Sequence, residues 1–290
     1  MNNSKYRYNK IEFSQIEIKD IVDSYLRGES SPKIGKRYGV GHKVILRVLH
    51  ELNIPVDQKR LVRKYSLDEH YFDDIDNQNK AYILGLLYSD GSNNPNKSTV
   101  SLALQEEDGY ILEVIRRELK SGRPLEYLDY SSKHDFGYNY KNQYRLVFYS
   151  SYICCQLSNL GVVRNKSLKI TFPKFLRKDL LPHFIRGVYD GDGSIYRSYR
   201  NDNNLPITVT ITATNSFCKS LQELCQEELG ITAGIYDASC HNGITKVFTL
   251  SGRNIAKKFL DWIYLDANIY LQRKYDRYID YYNINNSLAV

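Results

Sequence analysis

The sequence lacks the features that mark membrane-spanning, secreted and disulfide-bonded proteins. No apolar run approaches the roughly 18 residues that a membrane helix requires, and the opening residues, MNNSKYRYNK, have no apolar stretch like that of a signal peptide. The five cysteines are an odd number without a C-x-x-C spacing, which argues against a disulfide framework and against a zinc site. We therefore expect a soluble intracellular protein.

Excess charge of either sign is also missing from most of the chain. Residues 1–64 carry 14 basic and 7 acidic side chains, which is the whole net charge of +7, and the remaining residues hold 26 of each. A local positive surplus is typical of nucleic-acid binding, although a solvated basic face gives the same count. The composition, 42% hydrophobic and 25% charged over 290 residues, indicates a globular protein of two or three units.

Three short helices are predicted within the basic N-terminal part. The first covers 17–27, the second begins with the Ser-Pro pair at 31–32, and the third covers 42–52 after a tight Gly-Val-Gly turn at 39–41. A short helix, a glycine turn and a longer helix form the helix-turn-helix pattern. The outward side chains of the third helix are of types that reach phosphates and base edges: His42, Lys43, Arg47 and His50.

This segment resembles the helix-turn-helix of resolvase-like recombinases, and the matching stretch is SSPKIGKRYGVGHKVILRVLHELNI. It departs from that family at Gly35, where alanine is usual, at a cost to the helix of up to roughly 1 kcal/mol. The alternative is a small three-helix cap with no role in DNA binding. The local surplus of positive charge favours the DNA-binding interpretation.

The rest of the chain shows one pattern twice, with a period of 102 residues. Each copy is predicted to run helix, two strands, helix, two strands, helix, as in two similar subdomains. The second and third helices of the copies are predicted at 109–119, 152–160, 216–229 and 253–264, and the clearest strands at 99–104, 123–130, 143–150, 194–199, 206–213, 232–240 and 245–250. We predict a helix-turn-helix domain at 1–58, a linker at 59–75, a first subdomain at 76–175 and a second at 176–290.

Two nine-residue segments occupy matching places in the repeats: ILGLLYSDG at 83–91 and IRGVYDGDG at 185–193. Gly85 and Ser89 lie four residues apart on one helix face, and so do Gly187 and Gly191. Small residues at that spacing let two helix backbones approach closely. The two helices are therefore expected to pack against each other at the centre of the protein.

Each segment ends in an Asp-Gly pair, which places Asp90 and Asp192 at helix C-termini. The helix dipole destabilises a carboxylate there by roughly 0.3–1 kcal/mol, and the two acids repel each other if the helices pack side by side. Carboxylates beside free backbone carbonyls suit hard divalent cations such as Mg²⁺. Such an ion would offset both penalties and stabilise the charge that develops when water attacks a phosphodiester.

The stretches AYILGLLYSDG and HFIRGVYDGDG resemble the two motifs of single-chain LAGLIDADG homing endonucleases, over about residues 70–285. Three further stretches are similar to family sequence: YFDDIDNQNKAYILGLLYSDGS, LGVVRNKSLKITFP and IYLQRKYDRY. The first copy departs from the family at Tyr88, where an acid is common, and at Ser89. Neither departure affects the metal-binding position.

The resemblance implies an α+β fold. Two pseudo-symmetric αββαββα subdomains would form antiparallel-sheet saddles over the DNA major groove, beside a small all-α helix-turn-helix N-terminal domain. In that family the terminal acids, here Asp90 and Asp192, bind Mg²⁺ (or Mn²⁺) over the scissile phosphates of both strands, and cleavage leaves short 3′ overhangs. The carbonyls of Ser89 and Gly191 would help to bind the metal.

The family site also holds a basic residue that polarises the attacking water or the phosphate. Lys166 and Lys274 are the candidates, because each follows the last helix of its half at a comparable distance, and Arg273 is a weaker one. An ordinary phosphate contact or a surface lysine is the alternative for each.

Two polar loops are expected to contact DNA, at 131–143 and 196–206. Both are rich in Tyr, Asn and basic residues, which suit phosphates and base edges, although generic surface hairpins have a similar composition. The candidate contacts are Lys133, Asn139, Lys141, Arg197 and Arg200.

The sequence thus predicts a monomeric, site-specific, metal-dependent DNA endonuclease that cuts both strands of a long target and has no membrane partner. A non-cutting binder on the same scaffold, such as an intron maturase or a transcription regulator, is the main alternative. A glycoside hydrolase also uses paired acids, but the basic N-terminal module argues against it. The chain starts with no nucleophile and its end, NNSLAV, has no His-Asn splice junction, so we expect a free-standing or intron-encoded enzyme rather than an intein.

Overall fold

The computed structural model divides the chain into two compact units, Met1–Lys64 and Tyr65–Val290. The described residues are 11–27, 29–52, 54, 64–130, 134–135, 138–164, 166–197, 206–238 and 245–283. Each unit has its own hydrophobic core. Within the described residues, no helix combines the length and the apolar character that crossing a membrane requires.

The first unit contains the three predicted helices, α1 (Gln15–Leu26), α2 (Ser31–Arg37) and α3 (His42–Glu51). α1 begins with a capping box, in which Ser14 and Glu17 each accept a hydrogen bond from the backbone N–H of the other. The three helices enclose a small core of Ile21, Tyr25, Ile34, Ile45, Val48 and Leu49. The three-helix prediction is therefore confirmed.

Gly35 in α2 has a packing role that the sequence did not reveal. A Cβ atom at this position would lie 2.6 Å from the carbonyl oxygen of Val40, a backbone atom in the turn before α3. Gly39 gives this turn a left-handed conformation with φ 68°. Glycine at position 35 therefore weakens the helix but allows the turn to approach it closely.

The second unit begins earlier than predicted. A linker was predicted at 59–75, but Tyr71 and Phe72 are buried in the core of the second unit. The backbone N–H of Asp68 also donates to the carbonyl of Leu119 over 2.8 Å. Residues 65–75 therefore belong to the compact unit, because their aromatic side chains fill its core.

The two repeats have the predicted order of elements, except that the first contains two further short strands. The first consists of α4 (Gln78–Ser89), β1 (Gly91–Asn94), β2 (Thr99–Gln105), α5 (Gly109–Glu118), β3 (Glu126–Leu128), β4 (His134–Asp135), β5 (Tyr138–Asn139), β6 (Gln143–Tyr149) and α6 (Ser151–Asn159). The second consists of α7 (Leu181–Asp192), β7 (Gly193–Arg197), β8 (Ile207–Thr214), α8 (Asn215–Leu229), β9 (Gly234–Asp237), β10 (Thr245–Ser251) and α9 (Arg253–Tyr264). Helix α10 (Gln272–Asn283) follows and was not predicted.

Each repeat forms one four-stranded antiparallel sheet. The strand order is β1-β2-β6-β3 in the first and β7-β8-β10-β9 in the second, and β4 and β5 form a separate two-stranded hairpin. Apolar residues alternate along the inner strands, so that one face of each sheet is buried, as Val100, Leu102 and Leu104 show in β2. The α+β fold with two similar subdomains is therefore confirmed.

Candidate active site

The two motif helices, α4 and α7, pack with their backbones in direct contact. A Cβ atom at Gly85 would lie 2.0 Å from the carbonyl oxygen of Phe184, and one at Gly187 would lie 2.1 Å from the carbonyl oxygen of Tyr82. Both obstacles are backbone atoms, so glycine alone fits at either position. The close packing predicted from the small-residue spacing is confirmed.

The close contact continues to the C-terminal ends of both helices. A Cβ atom at Gly191 would lie 1.9 Å from Oγ of Ser89 and 2.8 Å from Oδ2 of Asp90. The carboxylate of Asp90, the C-cap residue of α4, therefore lies against α7 one residue before Asp192, which ends that helix. Both carboxylates are exposed, and the fold brings the two predicted acids together.

The two carboxylates share an environment that disfavours their negative charge. Burial among the surrounding protein atoms and the charge of Asp90 raise the pKa of Asp192 to about 6, against the opposing effects of Lys166 and Lys274. Burial also raises the pKa of Asp90. Both residues keep part of their surface in solvent, and the surrounding protein atoms remove part of the hydration of the carboxylates. Within the described residues neither acid forms a salt bridge.

Lys166 lies in a single 3₁₀ turn, Lys166–Leu168, and is half-buried. Burial lowers the pKa of its ammonium, and the carboxylates of Asp192 and Asp90 counteract this effect. Among the described residues its Nζ has no hydrogen-bond partner. Lys166 is therefore a cation that interacts with both acids and still has its donors available.

Lys274 has a different environment. It lies in the first turn of α10 and is 5% exposed, and its Nζ donates to the carbonyls of Tyr189 (2.6 Å), Asp190 (2.8 Å) and Gly193 (2.6 Å). All three protons are thus used at the end of α7, where a cation stabilises the free carbonyls. Burial lowers the pKa of Lys274 to about 8.

The predicted equivalence of the two lysines therefore does not extend to their contacts. Lys166 follows the last helix of its half in a short turn, whereas Lys274 belongs to an additional helix and is fully hydrogen-bonded. The weaker candidate, Arg273, pairs through Nε with the buried carboxylate of Asp108 at 3.0 Å.

A buried polar cluster, which was not predicted from the sequence, lies in α7, close to the acids. Asp190 is 1% exposed, and its Oδ2 accepts hydrogen bonds from the hydroxyl of Tyr82 and the backbone N–H of Leu271, each over 2.8 Å. Its Oδ1 has no partner within the described residues, and burial raises the pKa of Asp190 to about 6. The fully buried Arg186 donates to the carbonyls of Ile263 and Ile269. The sequence feature that could have revealed the cluster is the pair of charged residues, Arg186 and Asp190, within the mostly apolar part of α7.

The predicted DNA contacts of the first unit lie on α3. His42, Lys43 and His50 are exposed. Arg47 is half-buried, and its Nη2 donates to the carbonyl of Ile11 over 3.3 Å. The first three side chains thus remain available to a ligand.

The predicted contacts of the second unit are held by neighbours or lie outside the described residues. Nζ of Lys141 donates to Oε1 of Gln105 over 3.1 Å. Nη2 of Arg197 donates to the carbonyl of Tyr281 over 2.8 Å, and the guanidinium lies 4.5 Å from the centre of the Tyr281 ring. Lys133, Arg200 and the side chain of Asn139 lie outside the described part of the chain.

Residues 179–264 match the family model described as a LAGLIDADG-like domain. The match lies in the second repeat, and there it confirms the resemblance seen in the motif. The match includes Asp192, the C-terminal acid of α7. No curated protein matches the chain.

Three solved structures are among those to which the chain is similar. The I-LtrWI LAGLIDADG homing endonuclease bound to target DNA has 13% identity and a TM-score of 0.47, over 76% of this chain and 92% of its own. For the LAGLIDADG homing endonuclease I-GzeII in complex with a DNA target, the values are 11%, 0.49, 73% and 91%. The N-terminal LAGLIDADG domain of DUF199/WhiA has 14% identity and a TM-score of 0.41, over 68% of this chain and 89% of its own.

Proposed function

We propose that this chain is a site-specific, metal-dependent endonuclease that cuts both strands of double-stranded DNA. The observation that carries the proposal is the contact between the C-terminal ends of α4 and α7, which places Asp90 beside Asp192. Each acid belongs to one of two similar halves. Because the strands of a DNA duplex are antiparallel and related by twofold axes, two similar halves can each present one acid to one scissile phosphate.

The donor atoms at the site fit a hard divalent cation. Two carboxylates that form no salt bridge among the described residues lie near the carbonyls of Ser89 and Gly191, so Mg²⁺ or Mn²⁺ would have oxygen ligands only. No group of three His, Cys, Asp or Glu residues that could hold a metal occurs within the described residues. Water and phosphate oxygens would complete the shell, as is common for Mg²⁺. When bound, the metal supplies Lewis-acid stabilisation of the phosphorane-like charge.

The chain's own residues contribute position and charge. The backbone contact at Gly85 and Gly187 holds the two helix ends in one relation, so the spacing of Asp90 and Asp192 is defined by rigid elements. Lys166 faces both acids with its donors available, and in our proposal it stabilises negative charge on the phosphate or orients the attacking water. The cut is expected to leave short 3′ overhangs.

The proposed ligand is a long, specific DNA duplex bound by a single chain. The first unit carries the positive surplus and exposes Lys43, His42 and His50 on α3, which suits sequence-independent attraction to phosphates as well as contacts in a major groove. The second unit carries the acids. In this proposal the first unit adds affinity for DNA, and the second unit cleaves it.

The experiment begins with a randomised DNA library incubated with the protein and Mg²⁺, followed by sequencing of the cut ends. The recovered target is then cloned into a plasmid. Asp90→Asn and Asp192→Asn are each expected to abolish conversion to linear DNA while binding in Ca²⁺ stays within a few-fold of the unaltered protein. Asp280→Asn, at an exposed carboxylate on α10, is the matched control and should cut normally.

The outcome also separates the nuclease from a non-cutting binder on the same scaffold. Full cleavage by either Asn variant would refute the catalytic assignment. Selective binding without cleavage in Mg²⁺ or Mn²⁺ by the unaltered protein would instead favour a maturase or a transcription regulator.

A further inference from the structure

The inference concerns the open face of the second sheet and rests on the proposed function. In β8, the residues Ile207, Val209 and Ile211 point into the core, so Thr210 and Thr212 point to the opposite face, where both are half-buried. Directly paired residues of an antiparallel sheet share a face. Besides the buried Thr208, Thr214 and Thr245, the register assigns eight side chains to this open face: Ser194, Tyr196, Thr210, Thr212, Tyr236, Val247, Thr249 and Ser251.

None of these eight side chains is charged or carries an amide. Thr210 lies opposite Thr249, and Thr212 lies opposite Val247, on the two inner strands of the sheet. These four residues, which we call the methyl patch, present branched methyl groups side by side. All four are half-buried rather than covered. The centre of the open face is thus apolar in its contacts, with single hydroxyl groups between the methyls.

The first sheet differs at matching register positions. Gly91 pairs with Leu102 and Gly193 pairs with Ile211, which aligns the two sheets. In this alignment Arg145 of β6 stands where Val247 stands in β10. Arg145 donates through Nη2 to Oε2 of Glu126 over 2.6 Å. The two sheets therefore carry different side chains at equivalent positions, a charged arginine in the first and an apolar valine in the second.

The methyl patch is continuous with the candidate active site. β7 begins at Gly193, directly after Asp192, and its next residue, Ser194, lies opposite Thr210. The patch starts one strand away from the acid. A duplex whose scissile phosphate lies at Asp192 would therefore continue across this face.

The chemistry of the patch selects one kind of base edge. In the major groove, guanine is read by the paired donors of Arg or Lys, and adenine by the donor and acceptor of Asn or Gln, whereas thymine offers a methyl group to apolar contacts. The methyl patch has no paired donors. We propose that it binds the 5-methyl groups of thymine, so that the half-site facing the second sheet is rich in A·T pairs and the two half-sites differ in composition.

The test uses the target selected from the randomised library. Each thymine is replaced singly by deoxyuridine, which removes only the methyl group, and binding in Ca²⁺ is measured by fluorescence anisotropy. At a contacted position the replacement should weaken binding about fourfold, the equivalent of one buried methyl group. The penalty should occur in one half-site only.

Two pairs of variants assign the penalty to the patch. Thr210→Ser and Thr212→Ser remove the side-chain methyl and keep the hydroxyl, whereas Thr210→Val and Thr212→Val keep the methyl and remove the hydroxyl. The Ser variants should lose the thymine-to-deoxyuridine difference at one position each, and the Val variants should retain it. Thr99→Ser, on the first sheet, is the matched control and should retain it as well. Thermal unfolding checks that every variant is folded.

Four outcomes would overturn the inference. They are a target without A·T enrichment in either half, no position at which deoxyuridine weakens binding, a penalty that persists in both Ser variants, and self-association through this face. The last would appear in sedimentation as an oligomer that Thr210→Glu dissociates while DNA selection is unchanged. A target that is cut but shows none of the expected methyl effects leaves the proposed function intact, whereas the absence of any selected DNA overturns both.

Discussion

The hydroxyl of Tyr82 on α4 donates a 2.8 Å hydrogen bond to Oδ2 of Asp190 on α7, across the pair of motif helices. The residues that correspond to them by the repeat period, Phe184 and Tyr88, meet edge to face with ring centres 5.0 Å apart. One contact between the helices is thus polar, and its symmetric counterpart is aromatic. The polar contact places a buried carboxylate two residues before Asp192.

Tyr82→Phe removes the hydroxyl donor and leaves Oδ2 of Asp190 with the backbone N–H of Leu271 alone. We expect the free energy of unfolding at pH 7 to fall by about 1–3 kcal/mol, because a buried acceptor loses a partner. The pKa of Asp190, already raised to about 6, should rise further. A raised carboxyl pKa penalises the folded state above that pKa, so the deficit should shrink as the pH falls from 7 to 5.

Urea unfolding followed by the fluorescence of Trp262, the only tryptophan, measures this change in the second unit. Tyr127→Phe is the control, because its hydroxyl donates to Glu106 at 3.3 Å and accepts from Nδ2 of Asn142 at 2.9 Å, both in exposed surroundings. A loss of more than about 0.5 kcal/mol in the control, or an equal loss in both variants, would contradict the role given to burial.

Gly187→Ala tests the contact between the motif helices. The added Cβ would lie 2.1 Å from the carbonyl oxygen of Tyr82 and 2.7 Å from the backbone nitrogen of Leu86, so α4 and α7 must separate. We expect a loss of about 3 kcal/mol or more in the unfolding free energy, together with loss of cleavage, because overpacking forces a backbone shift. Gly41→Ala meets no atom within 4 Å and should cost less than about 1 kcal/mol. Near-normal stability of the Gly187 variant would contradict the close packing.

Lys166→Met should mainly slow cleavage, whereas Lys274→Met should mainly lower stability. Lys274→Met leaves three carbonyls at the end of α7 without their donor, and we expect it to lower the unfolding free energy by about 2–4 kcal/mol. Lys166→Met removes a cation without hydrogen bonds among the described residues. We expect it to leave thermal stability within about 0.5 kcal/mol and to slow single-turnover cleavage about 100-fold. Equal losses of stability in the two variants would contradict the distinction between the lysines.

The acid limb of the pH–rate profile should reflect Asp192. Its pKa is raised to about 6, so the carboxylate takes up a proton as the pH falls through that value and loses affinity for a divalent cation. Cleavage at limiting Mg²⁺ should fall as the pH drops from 7 to 5, and additional Mg²⁺ should shift the limb to lower pH. A limb that does not move with Mg²⁺ would contradict competition between proton and metal.

The same shift has a consequence for stability without metal. The raised pKa of Asp192 destabilises the folded state above about pH 6, and the penalty is relieved as the pH falls towards the ordinary carboxyl range. Asp192→Asn should therefore raise the Tm at pH 7, by no more than roughly 2 °C because water screens the charge of this exposed residue, and have a smaller effect at pH 4.5. A lower Tm for the variant at pH 7 would refute this electrostatic explanation.

The positive surplus of the first unit should contribute to the salt dependence of DNA binding. Lys43→Ala removes an exposed cation of α3, and the slope of log K against log salt should become shallower by about 0.9 for each lost phosphate contact. Lys33→Ala, where the lysine pairs with Glu29 at 3.3 Å, is the control and should leave the slope unchanged. Removal of residues 1–64 should have the largest effect. An unchanged slope after that removal would exclude the first unit from DNA binding.

Several features followed from the sequence because they depend on local patterns. The spacing of Gly85 and Ser89 predicted a helix face without bulky side chains, and the Asp-Gly pairs located Asp90 and Asp192 at helix ends. Alternation of apolar residues predicted the inner strands, since the two faces of a strand differ in burial. These inferences require only the periods of helices and strands and the sizes of side chains.

Other features required the tertiary structure because they join residues that are distant in the chain. Lys166 and Lys274 stand at similar distances from their motifs, yet the packing of α10 against the end of α7 gives Lys274 three carbonyl partners. The partnership of Tyr82 and Asp190 likewise depends on how two helices cross. The sequence by itself determined which residues form the acid pair and the repeat. Only the tertiary structure decided which polar groups are buried and satisfied, because that depends on contacts for which no local period exists.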